Sequence, residues 1–294
     1  MTRTQPAPQT RSDPRLTPFS IAAGDLLLAA DATPASRAAV SVASAISSHR
    51  TMPISVITVV SHACAADAEQ APMKRQRVAH ELNVTAERAR AWPHAVVLGN
   101  PADEIVRRAT QLRAQLIVLG LRPHEMVDRL FRDETALAVM QHANASTLGV
   151  VASMRTLPRS VVVGMDFSRS SIAAMHAAAA LLLPGGRLQL LYVAPEQQMW
   201  ARASAGISSL YEEQLANAFA RISAELKSRW NIDAASYVVH GPVVPELRRF
   251  VREHSVDLIA IGKCSDAHRR CVLGSVATAL TRTAECSLLV VPAS

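Results

Sequence analysis

The same order of elements runs through this chain twice, and that duplication limits the fold more than any other feature. Each half alternates five short apolar runs with helical stretches. In the first half the runs are DLLLAA (Asp25–Ala30), PISVITVV (Pro53–Val60), HAVVL (His94–Leu98), QLIVL (Gln115–Leu119) and TLGVV (Thr147–Val151). In the second they are VVVGM (Val161–Met165), RLQLLYV (Arg187–Val193), SYVVH (Ser236–His240), DLIAI (Asp257–Ile261) and SLLVV (Ser287–Val291). Apolar runs this short, bounded by turn residues, belong to strands covered on both faces. Between them, Leu215, Phe219, Ile222 and Leu226 fall on one face of a helix ending near Trp230, a core stripe rather than a cofactor site. Strands alternating with helices of this length imply parallel sheets sandwiched between helices. The expected fold class is therefore α/β, with two doubly wound parallel-sheet domains in tandem.

Landmarks fix the phase of the repeat. Asp31 and Asp166 close the first strand of each half, and Gly120 and Gly262 mark the end of the fourth. The polar, proline-bearing stretch ASMRTLPRS (Ala152–Ser160) is a natural connector. The expected division is a flexible tail over 1–20, one domain over 21–153, a linker over 154–160 and a second domain over 161–294. The opening segment, rich in Pro, Thr and Arg, has almost nothing to bury.

Composition excludes several classes. With 49% hydrophobic and 19% charged residues over 294 positions, each half can bury a core. No apolar run approaches the roughly 18 residues of a membrane span, and the first residues lack the apolar core of a secretory signal, so a cytoplasmic location is expected. The net charge of +7 is spread over helices, aromatics are only 4%, and no nucleic-acid motif occurs, so neither nucleic acid nor membrane is expected as a partner. Cys64, Cys264, Cys271 and Cys286 fit neither a disulfide framework nor a metal-ligand spacing and read as reduced thiols. Cys264 and Cys271 stand among His268, Arg269 and Arg270, where positive charge lowers a thiol pKa and would favour a redox role.

In an open parallel sheet a ligand binds beyond the carboxyl ends of the strands, where strand order reverses. There the second half carries GKCSDAHRRCVLGSVA (Gly262–Ala277). Gly262 would admit a ligand close to the backbone, and Gly274-Ser275 opens a helix whose bare N–H groups favour a phosphate. Lys263, His268, Arg269 and Arg270 could supply cations to outer phosphates if the loop folds inward. The same Gly-Ser pair could equally do no more than turn the chain and cap the helix. In the first half the matching helix opens with Asp133-Glu134, and Pro123 stands in the loop. Carboxylates there satisfy the helix dipole that a phosphate would use, so the first half is expected to have lost a phosphate site.

No enzyme motif is complete. GMDFS (Gly164–Ser168) lacks the serine and second glycine of a nucleophile elbow. There is no G-x-x-x-x-G-K-[ST] loop, no glycine-rich turn after either first strand, and no H-E-x-x-H among the ten histidines. His176, on an alanine-rich helix, reads as a packed or surface residue. No catalytic residue and no metal ligand is assigned.

The order of elements, together with VVVGMDFSRSS, HGPVVPEL and GKCSDAHRRCVLGSVATAL…CSLLVVP in the second half, resembles the universal stress protein family. The first half contributes LLLAADATPASRAAV, LGNPADEI and LIVLGLRPHEMVDRLFRDETA. The chain looks like a tandem member. ATP-binding members carry Gly, two residues, Gly, nine residues, then Gly-Ser or Gly-Thr after the fourth strand. This chain has Ser265 at the middle glycine, and its loop is one residue shorter. The resemblance implies an adenine-nucleotide site, ATP foremost, formed by Asp166, Val193, Ile261, Gly262, Ser265, Gly274, Ser275 and Val276. It also implies a regulatory or protective stress-response role without catalysis, with a protein-interaction scaffold or a weak nucleotide hydrolase as alternatives. Members associate through their last strands, so a fused pair implies an internal pseudo-dimer, monomeric or homodimeric, with an unknown protein partner.

Overall fold

A computed structural model describes residues 25–31, 33–61, 65–85, 91–122, 133–194, 208–263, 273–283 and 285–293. The tail over 1–20 lies outside the described residues, as do Cys64, Pro123, Cys264, Ser265, His268, Arg269, Arg270 and Cys271.

The first half runs β1 (Leu26–Ala29), α1 (Pro34–Arg50), β2 (Ile54–Val60), α2 (Ala65–Thr85), β3 (His94–Leu98), α3 (Pro101–Leu112), β4 (Leu116–Gly120), α4 (Asp133–His142) and β5 (Ser146–Val150). The second runs β6 (Ser160–Met165), α5 (Arg169–Leu181), β7 (Arg187–Ala194), α6 (Ser208–Trp230), β8 (Ala235–His240), α7 (Val243–His254), β9 (Leu258–Gly262), α8 (Ser275–Arg282) and β10 (Ser287–Val291). All ten expected strands form, with ends displaced by a residue at several places. Gly120 and Gly262 are thus the last residues of β4 and β9.

Local chemistry fixes the helix starts. Thr33, Asn100 and Ser168 cap α1, α3 and α5, their side chains accepting from Ser36 N, from Ala102 N and Asp103 N, and from Ser171 N respectively. Pro34 and Pro101 follow two of these caps, where the missing N–H costs nothing.

The strands do not make two separate sheets. They form one sheet of ten in the order β3-β2-β1-β4-β5-β10-β9-β6-β7-β8. Every pairing is parallel except the central one, β5 against β10, where Leu289 faces Leu148 and Val290 faces Thr147. The two last strands therefore meet edge to edge, removing an open edge from each half. Strand order reverses between β1 and β4 in one half and between β6 and β9 in the other, which are the switch points of a doubly wound sheet.

One hydrophobic core spans both halves, from Leu26, Leu28 and Ile117 through Leu148 to Leu289, Val162 and Leu190. The stripe Phe219, Ile222 and Leu226 is buried within it, with Leu215 packed at its margin. On one face Arg50 of α1 donates from Nε to the Ala180 carbonyl of α5 at 2.6 Å. The connector between the halves docks on the core. Met154 and Leu157 are buried, Leu183 N donates to Pro158 O at 2.9 Å, and the Arg159 and Ser160 N–H groups both donate to Asp257 Oδ2. Two apolar residues among the polar ones suffice to dock the segment on the core.

Candidate functional site

At the carboxyl end of β1, the Asp31 N–H donates to Ser36 Oγ, and Asp31 Oδ1 accepts from Thr33 N at 3.2 Å. The second half repeats this turn, Asp166 Oδ1 accepting from Ser168 N at 2.9 Å. Each aspartate thus shapes the turn into the next helix while staying exposed at the strand end. Beneath Asp31, Thr58 Oγ1 donates to Ala30 O, so the His94 Nε2 that lies 2.9 Å from it is the donor of that contact. Burial, with Arg75 adding to it, lowers the His94 pKa.

Of the second-half residues expected to meet a nucleotide, the described ones lie at the ends of β6, β7 and β9 and at the start of α8. Val193 and Ile261 are buried at the ends of β7 and β9, on either side of β6. Gly164 on β6 lets Ile261 close in: a Cβ there would lie 3.1 Å from Ile261 Cγ2. Gly274 caps α8 without a side-chain bond, its own N–H donating to Lys263 O at 3.0 Å. Ser275 is exposed at the first position of α8 and Val276 half-buried at the second. Ser265 lies outside the described residues.

Two readings of this loop change. Gly262 was expected to admit a ligand, but the direction of its missing Cβ points into the start of α5, 2.7 Å from Ser170 Cβ and 2.8 Å from Ser170 C. Gly120 does the same against Ala35 and Ser36 of α1, at 2.8 Å. Both glycines serve strand–helix packing. Lys263 was expected to offer a cation to phosphates, yet it is buried, and its Nζ donates across the seam to Ala143 O at 2.7 Å, just past the end of α4. A cation at a helix C-terminus is favourably placed, and desolvation lowers its pKa.

The first half, expected to be the degenerate one, carries a cavity of about 490 Å³ at its switch point. Its floor is apolar, formed by Ala29, Ile57, Val59, Ile105, Leu119 and Leu121. Its rim is polar, with Asp31, Thr33, Ser61, Asn100 and Thr135 beside the cations Lys74 and Arg122. Lys74 reaches from α2 to the end of β2, donating from Nζ to Val59 O at 2.8 Å. This volume lies in the range of small-molecule sites. Sequence reading did not single out Lys74, because nothing in a mid-helix lysine says which strand end it reaches. Asn100 was visible within LGNPADEI, though only as part of a motif.

Among the described residues no group of three His, Cys, Asp or Glu could hold a metal ion, and no helix is long and apolar enough to cross a membrane. Cys286 is buried, and desolvation pushes its thiol pKa up to about 12, which leaves it unreactive. His176 is packed, as its setting suggests: Trp230 Nε1 donates to its Nδ1 at 3.3 Å, so its Nε2 carries the hydrogen and donates to Glu225 Oε1 at 2.9 Å.

The sequence model of the universal stress protein family matches this chain twice, over residues 24–150 and 158–292. The chain belongs to the universal stress protein family. It is a tandem member, its two matches lying on the two halves of the sheet. Its fold is that of a universal stress protein from Archaeoglobus fulgidus DSM 4304, 15% identical, with a TM-score of 0.61 over 92% of this chain and 98% of that one. A functionally unknown protein from Pseudomonas aeruginosa PAO1, 11% identical, gives a TM-score of 0.58 over 93% of this chain and 94% of that one. A shorter universal stress protein solved in complex with cAMP is 25% identical over 47% of this chain and 99% of its own, with a TM-score of 0.33. No curated protein matches the sequence.

Proposed function

We propose that this universal stress protein is a non-catalytic regulatory or protective module of the cytoplasm that responds to a small ligand of the adenine-nucleoside or nucleotide class. The observation that carries this reading is the cavity of about 490 Å³ at the first-half switch point, with an apolar floor for a ring and a polar rim to orient it. Residues 21–153 and 161–294 act as its two domains, the first receiving the ligand and the second completing the sheet.

A second site is favoured by one specific feature. The first turn of α8 has no side-chain cap, so its N–H groups remain suited to a phosphate. In this reading Asp166, Val193, Ile261, Gly262, Ser265, Gly274, Ser275 and Val276 surround ATP in the second half, with Gly262 setting the loop's position through its packing.

Mass spectrometry of the small molecule released when gently purified protein is denatured, followed by titration calorimetry of the emptied protein, tests both sites. Binding lost in Ala29→Leu, which fills the cavity, assigns it to the first half. Binding lost in Gly274→Asp assigns it to the second. Protein that releases nothing and ignores adenosine, AMP and ATP would turn the reading toward a protein-interaction scaffold. Phosphate release from ATP above that of an Asp166→Ala variant would turn it toward a weak hydrolase.

A further inference from the structure

Arg50 of α1 and Trp230 of α6 come from different halves of the chain and meet in the helical layer. The guanidinium of Arg50 lies over the Trp230 ring, 5.2 Å from its centre, and the bond from its Nε to Ala180 O fixes it there. Arg229 lies over the same ring at 5.8 Å. Trp230 closes α6, and its indole N–H donates to Nδ1 of His176, a buried residue of α5. One indole thus joins three helices and both halves.

This arrangement needs a neutral imidazole. An indole nitrogen only donates, so Nδ1 must accept. An imidazolium donates from both nitrogens: its Nε2 would keep Glu225, while its Nδ1 would set one hydrogen against another. The charged groups around His176 are Glu225 and Arg229 on α6, with Arg50 of α1 beyond Trp230; His49, next to Arg50, is exposed. The strands on which α5 packs, β6, β9 and β10, carry no ionisable side chain. Desolvation, with Arg229 adding to it and Glu225 opposing it, keeps the second proton off until the pH falls below the usual histidine value.

We infer that Trp230 is a proton-released latch between the two halves. With His176 neutral, the indole is fixed against α5 and presents its ring to Arg50. A proton taken from solvent at Nδ1 frees the indole and loosens α6 from α1. The join of β5 to β10 has no ionisable side chain and stays closed, so acid loosens the helical layer and not the sheet. The latch does not depend on what either half binds.

The test is acrylamide quenching of Trp230 fluorescence in the full chain carrying Trp92→Phe and Trp200→Phe, which leaves Trp230 as its one tryptophan. Quenching is expected to rise at least twofold between pH 7.5 and 5.5, with the far-ultraviolet circular dichroism unchanged. In His176→Gln, whose amide can accept from the indole and donate to Glu225 without titrating, quenching should stay at its neutral-pH level throughout. Hydrogen exchange at the end of α1, corrected for its intrinsic dependence on pH, should quicken at least threefold over the same interval in the parent and not in His176→Gln. Quenching that ignores pH overturns the inference, as does a rise of equal size in His176→Gln or an α1 exchange rate that does not change. Should the two phenylalanine substitutions disturb folding, the indole N–H resonance of the parent, assigned by its loss in Trp230→Phe, reads the same transition: it shifts on acidification, or the inference fails.

Discussion

Gly262 and Gly274 stand in the same loop and do opposite things. The first has no room for a side chain, because the start of α5 lies against it; Gly262→Ala must move a helix and should lower stability by about 1–3 kcal/mol, read as a lower denaturant midpoint at unchanged slope. The second has an ordinary backbone conformation, φ −63° and ψ 160°, with the nearest neighbour of an added Cβ at 3.7 Å. Gly274→Asp should therefore fold as the parent does and gain a few tenths of a kcal/mol as a better helix cap, measured in the same titration. The sequence made both glycines look like ligand residues, since a glycine after a strand is the same letter whether it clears space for a phosphate or for another helix. Which of the two it serves depends on Ser170, nearly a hundred positions away, and no local pattern carries that.

Among the elements, the strands were legible to within a residue because burial on both faces keeps the inner ones largely apolar, while the edge strands β3 and β8 are only half-buried or exposed, and the helix stripe through Phe219 and Leu226 was legible for the matching reason on one face. The contact between α5 and α6 was not. His176 is held between the Trp230 N–H and Glu225, and desolvation lowers its pKa, with Glu225 opposing and Arg229 reinforcing the shift. Protonation at Nδ1 would set a hydrogen against the Trp230 N–H. The unfolded chain takes up this proton near the ordinary value of 6.5, while the folded chain resists until lower pH. Stability is thus full above about pH 6.5 and falls as the pH drops below it. The melting temperature should decline on acidification from pH 7.5 to 5.5, with a shallower decline in His176→Gln. His94, shifted in the same direction, adds to the decline. The docking of the linker was not legible at this scale either: its composition is polar, but Met154 and Leu157 are buried.

At the level of the whole molecule, the ten-stranded sheet and the single core join the halves into one cooperative body. Heating should give one transition, with circular dichroism and tryptophan fluorescence superimposing; two separated transitions would mean that the seam contributes little. Lys263, reaching from β9 to the end of α4, belongs to that seam. The duplication made the two halves legible, and the resemblance implied their meeting through last strands. Which half carries the cavity was not legible, because its volume depends on how far α3 and α4 stand from the strand ends.

The antiparallel join of β5 to β10 has a consequence for how such a pair behaves when scarce. The strands of one half point one way and those of the other the opposite way, so the carboxyl ends of the strands lie at opposite ends of the sheet in the two halves. A pair assembled from separate chains dissociates on dilution and can exchange partners. Here the partner is tethered, and its effective concentration is set by the length of chain between β5 and β6, whatever the abundance of the protein. Each half is then free to diverge on its own, since within the chain its neighbour across β5 and β10 is the other half.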